Sequence, residues 1–285
     1  MLRVNFYLEE HSAISPAFIL KNYEGLKVFQ AAALDLPWLG HGFSTRLGGV
    51  SEGVYAALNL SFTVGDITER VVENRRRLAR ALGYDPGNAV AGQQVHGDGV
   101  AVVTGREAGA GALGPGIALP ATDALVTGTP GLPLMAFFAD CVPVFLADPL
   151  NQVVGIAHAG WRGTVQRIAG KTLDRMNESF GTHPAGCLAV LGPAIGPCCY
   201  TVDEPVAETF AAWGQPVVWR DGDKWRVDLW EANRQLLLAA GIPPGKITVI
   251  RVCTACHPEL MFSHRRDGGK TGRMAAVILV RSKGS

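Results

Sequence analysis

The clearest pattern of apolar and polar positions lies between residues 138 and 163. Val, Ile, Leu and Phe fill two arms, and the segment between them, Asp148-Pro149-Leu150-Asn151-Gln152, is rich in turn-forming residues. This pattern predicts a β-hairpin. Cys141 and His158 lie symmetrically about the Pro149–Leu150 bond, so we expect them to face each other across the two strands, with Cβ atoms about 5 Å apart.

A thiol and an imidazole at that distance are close enough to share one metal ion or to exchange one proton. The alternative is a free cysteine of the core beside a hydrogen-bonded histidine, because cysteine is among the most buried residue types. The hairpin residues alone leave both interpretations open.

The rest of the chain mixes helical periods with short apolar runs. Apolar residues recur at helical spacing from Thr68 to Gly83, from Gly163 to Gly181 and from Asp228 to Ala240. The second of these helices begins a few residues after His158, and the positive end of its dipole would favour an anionic ligand there. Apolar runs predict strands at 89–103, 122–127, 187–191, 247–252 and 274–280.

A glycine-rich loop, residues 41–53, follows a predicted strand. Such a loop lets backbone N–H groups approach a ligand closely. Arg46 at its mouth could fork onto a phosphate or a carboxylate, and we take Arg46, Ser44 and the nearby Asn59 as candidate substrate-binding residues. A surface turn with a solvated Arg is the alternative.

Other His and Cys residues are harder to place. His96 has no partner close in the sequence and is by default a hydrogen-bonded loop histidine. Cys198 and Cys199 are adjacent, and successive residues of a strand point to opposite faces, so we do not expect both to bind one ion. Cys253-x-x-Cys256 is half of a zinc knuckle or a redox pair, without a second knuckle. We predict that these two cysteines are not metal ligands.

Composition narrows the class of protein. The chain has 285 residues, of which 48% are hydrophobic and 18% charged, with a net charge of +1. It therefore lacks the basic bias of proteins that bind nucleic acid or anionic membranes. We recognise no signal peptide and no membrane-spanning run, and six irregularly spaced cysteines favour metal binding or catalysis over a disulfide framework. We expect a soluble cytoplasmic protein.

Six blocks of the sequence occur as motifs in a fixed order: 43–51 (FSTRLGGVS), 94–97 (QVHG), 139–143 (ADCVP), 157–163 (AHAGWRG), 191–200 (LGPAIGPCCY) and 265–269 (RRDGG). Together they resemble the YfiH/laccase-domain family, also called polyphenol oxidase or purine nucleoside phosphorylase. The resemblance runs from about residue 36 to about residue 281. It implies an N-terminal peripheral segment, residues 1–35, and a catalytic domain, residues 36–285.

The resemblance implies an α/β (α+β) single domain with mixed sheets in four layers, α/β/β/α. It also implies a zinc ion bound by His96, Cys141 and His158, which supplies the partners that His96 lacked. Three N/S ligands leave a fourth coordination position open, as is typical of a catalytic zinc. Copper is the alternative metal, because it competes with zinc at N/S sites.

Similar family members are assigned phosphorolysis of adenosine, inosine, guanosine and methylthioadenosine, and also adenosine deamination. Purine nucleoside and phosphate would then be the partners of this chain, while the sequence leaves its oligomeric state open. Cys141, His158 and Asp140 are the predicted catalytic residues, with Asp140 as an acid or base beside the thiolate. Arg162 joins Arg46 as a candidate phosphate ligand.

Three other functions stay open at this point. A copper-dependent polyphenol oxidase is the first, although blue multicopper laccases need more His for their clusters than the seven present here. A Cys-His hydrolase would use Cys141 as nucleophile and His158 as base, and His96 would then be surplus. The third is a non-enzymatic binding module that keeps its metal for stability.

Overall fold

The computed structural model describes residues 17–116 and 118–282, which form fifteen strands and five α-helices. The strands are β1 (Phe18–Tyr23), β2 (Leu26–Ala31), β3 (Leu39–Ser44), β4 (Val90–Ala91), β5 (Val100–Val102), β6 (Ala124–Thr127), β7 (Leu134–Phe138), β8 (Val142–Asp148), β9 (Val153–Ala159), β10 (Leu188–Leu191), β11 (Thr201–Val202), β12 (Val218–Asp221), β13 (Lys224–Val227), β14 (Ile247–Val249) and β15 (Met274–Val280). The helices are α1 (Thr68–Leu82), α2 (Trp161–Val165), α3 (Ile168–Phe180), α4 (Glu204–Glu208) and α5 (Leu229–Ala239). Among these helices, none has the length and hydrophobicity needed to cross a membrane.

The described strands form two six-stranded mixed sheets and one small sheet. The first sheet has the order β1-β2-β3-β15-β7-β4, and the second has the order β14-β10-β8-β9-β6-β5. The small antiparallel sheet has the order β11-β13-β12. The parallel pairs β4–β7, β5–β6 and β10–β14 lie at the edges of the two large sheets, while their interiors are antiparallel.

The two large sheets pack face to face around an apolar layer. Phe43 and Phe138 of the first sheet and Phe145 and Ile156 of the second belong to one buried cluster. All seven residues of strand β15 are buried. Alternate side chains face opposite sides of the sheet, and both sides are covered, one by the second sheet and the other by α1. Ile278 points into the layer between the sheets.

Helices cover the outer faces of both sheets. Leu78 of α1 packs with Val277 on the outside of the first sheet. Leu173 and Met176 of α3 pack with Leu146 on the outside of the second, where α5 also contributes. The predicted four-layer α/β/β/α fold is confirmed.

Residues 18–31 extend the first sheet rather than lying apart from it. Strand β2 pairs with β3 and buries Phe29, while β1 pairs with β2 along the sheet edge. Residues 1–16 of the predicted peripheral segment lie outside the described residues. The domain boundary at residue 35 stays a prediction.

The central hairpin forms, but its register differs from the prediction. Strands β8 and β9 pair Pro143 with His158 and Asp148 with Val153, which leaves a four-residue loop. The Asp148 carboxylate caps this loop by accepting hydrogen bonds from two loop N–H groups. Cys141, directly before β8, is therefore a diagonal neighbour of His158 and not its directly opposed partner. Because diagonal neighbours lie on the same face of a sheet, their side chains still meet.

The helix predicted between residues 163 and 181 is two helices. Helix α2 ends at Val165 and α3 begins at Ile168, with Arg167 between them in the left-handed conformation (φ 62°). The apolar stripe predicted for α3 is buried as expected, at Ile168 and Leu173 among others. However, α2 has only five residues, so the sum of its peptide dipoles is small. The prediction that a long helix directs its N-terminus at His158 is wrong.

Candidate metal centre and its cavity

The structure brings His96, Cys141 and His158 together. One ligand atom from each residue, two imidazole nitrogens and one sulfur, lie within 4.8 Å of one another. His96 lies in the loop between β4 and β5, which crosses from the first large sheet to the second. This loop carries the His96 ring to within 4.9 Å of the His158 ring, measured between centroids. The three predicted metal ligands therefore form one group.

Asp123, directly before β6, positions two of these ligands. Its fully buried carboxylate lies 2.9 Å from Nδ1 of His158, which directs the other imidazole nitrogen toward Cys141. The same carboxylate accepts hydrogen bonds from the backbone N–H groups of Val95, His96 and Gly97, at 2.9–3.1 Å. Sequence reasoning missed Asp123. The feature that could have identified it is an acidic residue directly before an apolar strand.

Gly160 leaves the space that the group occupies. It follows β9 and lies opposite Cys141 when the hairpin register is extended by one pair. A Cβ atom at this position would lie 3.0 Å from Cys141 Sγ and 3.2 Å from His96 Cδ2, which is closer than ordinary van der Waals contact. The missing side chain thus allows the sulfur and the His96 ring to approach each other.

Asp140 holds the loops around the centre. Its backbone is in the left-handed region (φ 93°), as is that of His96 (φ 59°); non-glycine residues adopt it rarely, and surrounding contacts must hold them there. The carboxylate of Asp140 accepts hydrogen bonds from the Thr254 hydroxyl at 2.6 Å and from the Arg265 N–H at 2.7 Å. Asp140 therefore connects the Cys141 backbone to two parts of the loop between β14 and β15.

The charges in the centre favour a thiolate. Burial alone would raise the pKa of the Cys141 thiol, but the charge and hydrogen bond of His158, together with His96, lower it below its ordinary value. Burial alone would lower the pKa of His158, yet the Cys141 thiolate and Asp123 raise it. A metal ion binds thiolate and neutral imidazole, so it would displace the proton held by His158.

The centre opens into a cavity of about 690 Å³, a volume typical of small-molecule sites. His96, Cys141, His158 and Asp140 lie in its wall. Among the other residues of the wall are four aromatic and four positively charged side chains: Phe62, Phe137, Trp161, Tyr200, Arg75, Arg162, Arg265 and Arg273. This combination can bind a ligand that is both flat and anionic.

The arginines of the cavity differ in whether their guanidinium groups already donate hydrogen bonds to other residues. The guanidinium of Arg75 donates to backbone carbonyls and is buried, and those of Arg265 and Arg273 also donate to carbonyls. Arg162 is exposed, and its guanidinium stacks on the Trp161 ring, 4.4 Å from the centroid. The guanidinium makes no hydrogen bond or ion pair to any residue that the structure describes. Of the four, Arg162 is the most available to a ligand.

Three predicted substrate-binding residues are not among those that line the cavity. The guanidinium of Arg46 donates to two backbone carbonyls and lies over the Phe262 ring. Ser44 accepts a hydrogen bond from a backbone N–H of β15. Asn59 accepts one from the backbone N–H of Arg273, at 2.9 Å. These contacts support the cavity wall, and direct substrate binding by the three residues stays a prediction.

A second group of sulfur ligands lies outside the cavity wall. The Sγ atoms of Cys198, Cys199, Cys253 and Cys256 lie within 4.8 Å of one another, and all four residues are free thiols. The expectation that the first two point to opposite faces is wrong, because residues 197–199 form a turn and not a strand. We predicted that Cys253 and Cys256 are not metal ligands because the sequence offers them no second pair, and that premise is wrong, since Cys198 and Cys199 supply two more sulfurs.

The donor set in the cavity fits a single metal ion such as zinc. Zn–N distances of about 2.0 Å and Zn–S distances of about 2.3 Å, at tetrahedral angles, separate the donors by roughly 3.3–3.6 Å. The three donor atoms are already within 4.8 Å of one another, so small side-chain rotations are sufficient. The Asp123 hydrogen bond also holds His158 as metal-binding histidines are commonly held, by a carboxylate on the second ring nitrogen.

The sequence and the fold both match known proteins. The pattern of the family described as "Multi-copper polyphenol oxidoreductase laccase" matches residues 40–281. The chain is 44% identical over 242 residues to "Purine nucleoside phosphorylase YlmD" of Geobacillus stearothermophilus, covering 83% of this chain and 88% of that protein. It is 37% identical over 238 residues to "Purine nucleoside phosphorylase YfiH" of Escherichia coli, covering 82% and 91%.

Solved structures agree with these matches. The crystal structure of YlmD from Geobacillus stearothermophilus has a TM-score of 0.87 and 40% sequence identity, covering 93% of this chain and all of that one. That of Bacillus licheniformis YfiH has the same TM-score and identity, covering 94% and 100%. The chain therefore belongs to the laccase-domain family that includes the YlmD and YfiH proteins.

Proposed function

We propose that the protein is a cytoplasmic, zinc-dependent purine nucleoside phosphorylase. A phosphate oxygen would bond to the ribose carbon that carries the purine, and the bond to the ring nitrogen would break. The purine nitrogen takes the electron pair and then a proton, so the products are free base and ribose 1-phosphate. The observation that carries this proposal is that one cavity contains the three-ligand N/S group and the available guanidinium of Arg162. The names of the YlmD and YfiH relatives support it.

Arg162 is the proposed primary phosphate ligand. Its guanidinium can form two parallel hydrogen bonds to phosphate oxygens, and each charge-assisted bond contributes about 1.5–3 kcal/mol. Arg265 and Arg273 line the same cavity and add positive charge. The flat purine has matching surfaces in the cavity, since Trp161 and Tyr200 offer aromatic rings against which it can stack.

His96, Cys141 and His158 would hold the zinc, which supplies a Lewis acid when bound. The protein's own part is to keep these ligands in place, through Asp123 and the gap at Gly160. Asp140 is the proposed acid or base. Each of its two oxygens accepts one hydrogen bond, so a carboxylate with about four acceptor positions keeps lone pairs for proton exchange with the substrate.

The same centre could serve adenosine deamination, because a Lewis-acidic zinc also activates water. We include deamination as a secondary activity of the proposal. A multicopper oxidase gains no support: of the two ligand groups found in the described residues, only one contains His, and it has two. Copper in that single site stays the alternative metal.

The second candidate is a Cys-His hydrolase. Cys141, His158 and Asp123 are arranged as a nucleophile, a base and a carboxylate that orients the base. His96 separates the two functions. A metal centre needs it as a ligand, whereas a hydrolase of this kind works with the other three residues.

The test is chromatography of inosine and adenosine incubated with the protein, with and without phosphate. We expect free base only when phosphate is present, with an equal amount of ribose 1-phosphate. His96→Ala should abolish this cleavage and lower the zinc content of the same sample. Base release without phosphate, or an active His96→Ala variant with unchanged turnover, would contradict the proposal.

A further inference from the structure

We propose that Cys198, Cys199, Cys253 and Cys256 form a second, structural zinc site that joins two loops behind the cavity. This inference is independent of the proposed reaction. It rests on the positions of the four sulfur atoms, on the backbone around them and on the contacts between the two loops and Asp140.

The spacing of the sulfurs fits one tetrahedral ion. Four thiolates at about 2.3 Å from a zinc ion lie about 3.8 Å from one another. The Sγ atom of Cys256 lies 3.6 Å from that of Cys198 and 3.4 Å from that of Cys199, and all four sulfurs lie within 4.8 Å of one another. The group therefore needs only a small adjustment to bind an ion.

A disulfide explains these positions less well. A disulfide joins sulfurs in pairs at about 2.05 Å, whereas Cys256 has two sulfur neighbours at nearly equal distances. Cys253 lies close enough to complete the set. One ion with four equivalent ligands accounts for this spacing, and four cysteines are the usual donor set of a structural zinc.

The backbone is arranged as in thiolate metal sites. The N–H of Gly196 donates to Cys253 Sγ at 3.2 Å, and the N–H of Cys256 donates to the same sulfur. Such bonds stabilise negative charge on sulfur. Arg226 donates to the carbonyls of Pro197 and Cys198, which fixes the turn and places a positive charge beside the group.

The site would stabilise the two loops that contact Asp140, a residue of the cavity wall. The two loops already pair through hydrogen bonds between Ala194 and its partners Val252 and Thr254. The hydroxyl of Thr254 donates to Asp140, whose carbonyl accepts the N–H of Ile195. An ion that joins Cys198 and Cys199 to Cys253 and Cys256 would therefore fix the loop after β10 to the loop after β14, and each of these loops contacts Asp140. Its role is to position that residue, with no contact to substrate.

The experiment counts metal ions per chain after purification from zinc-supplemented culture, by elemental analysis and by native mass spectrometry. We expect two zinc ions in the wild type and one in Cys256→Ser. Cys141→Ala should also retain one, and its cobalt-substituted form should show the intense visible absorption of tetrahedral cobalt bound by thiolates. The matched control is Cys187→Ala, a buried cysteine outside both groups, which should retain two.

Three results would overturn the proposal. The first is one zinc in the wild type and none in Cys141→Ala. The second is an unchanged zinc count in Cys256→Ser. The third is a cobalt spectrum of Cys141→Ala without thiolate bands. Because the spectrum is recorded on a chain that keeps all four cysteines, it tests the site even if Cys256→Ser does not fold.

Discussion

The two groups of ligand side chains in this protein differ in number, type and access. His96, Cys141 and His158 offer two nitrogens and one sulfur from a loop, the residue directly before β8 and strand β9, and they face a cavity. The second group offers four sulfurs from two loops outside the cavity wall. Three ligands leave a position for substrate, whereas four close the coordination sphere. Ligand count and access are therefore the features that distinguish the proposed reactive site from the proposed structural one within the same fold.

The largest expected effect concerns stability. A metal that binds only the folded chain stabilises it by about 4 kcal/mol at 1,000 times its Kd. Cys256→Ser should therefore lower Tm by roughly 10 °C. Calorimetry of wild type, Cys256→Ser and Cys187→Ala in excess zinc measures the difference. Equal Tm values for the first two would contradict a structural role.

The next prediction compares two arginines with opposite placements. Arg162→Ala should raise the KM for phosphate by about 10- to 100-fold, which is the loss of one charge-assisted contact of about 1.5–3 kcal/mol, with a much smaller effect on the KM for nucleoside. Arg46→Ala is the matched control, since its guanidinium is held by backbone carbonyls. It should lower stability and leave the KM for phosphate nearly unchanged. The opposite pattern would make Arg46 the phosphate ligand.

Asp123 tests how the cavity centre is held. Asp123→Asn keeps the size of the side chain but replaces the carboxylate that holds His158 and accepts hydrogen bonds from the His96 loop with a neutral amide. Loss of such a supporting carboxylate typically reduces metal affinity or activity by 10- to 100-fold. Zinc titration against a competing chelator should show weaker binding at the cavity centre and unchanged binding at the four-cysteine group. Equal weakening at both would indicate a general loss of folding.

The smallest expected effect is a loss of folding stability at low pH. It comes from a buried histidine outside both ligand groups, so it can be told apart from the loss of metal. Burial lowers the pKa of His41 from 6.5 to about 4, although Asp35 partly opposes this, and its Nε2 accepts the N–H of Ala31. Between these two pKa values the unfolded chain binds a proton that the folded chain does not, so stability is full above pH 6.5 and falls as the pH drops toward 4. The expected loss from pH 7 to pH 5 is about 2 kcal/mol.

Urea unfolding of wild type and His41→Gln at both pH values measures this loss, because glutamine can still accept the Ala31 N–H. The variant should lose less stability than the wild type on acidification. Identical losses would assign the acid sensitivity to the metal groups instead.

Local pattern was sufficient for much of this structure. Two apolar runs and the turn chemistry between them predicted the hairpin that carries His158, and Asp228 and Gly83 marked helix ends that the structure confirms. The metal ligands required the family resemblance, because nothing near His96 in the sequence indicates Cys141. The hairpin register was wrong by two residues, since His158 pairs with Pro143 and not with Cys141, and the loop capped by Asp148 is centred one residue later than predicted.

Residues that act through tertiary contacts could not be predicted in this way. Asp123 can position the metal ligands only because the His96 loop, which comes from the other large sheet, donates backbone N–H groups to its carboxylate. The cysteine pairs were misread because Cys198 and Cys199 lie in a turn, where the alternation of a strand does not apply. Arg46 carries the charge expected of a phosphate ligand, but its guanidinium already donates to the carbonyls of Ala56 and Pro258, and its substrate-binding role stays a prediction. In each case a partner distant in sequence determines the role of the side chain.

The most direct test of the account is the Cys141→Ala variant, assayed with inosine and phosphate and analysed for zinc in the same preparation. We expect a folded protein with no ribose 1-phosphate formed and with one zinc lost relative to wild type. Wild-type rates of phosphate-dependent cleavage in this variant, with or without a change in zinc, would contradict the claim that the cavity centre carries the reaction.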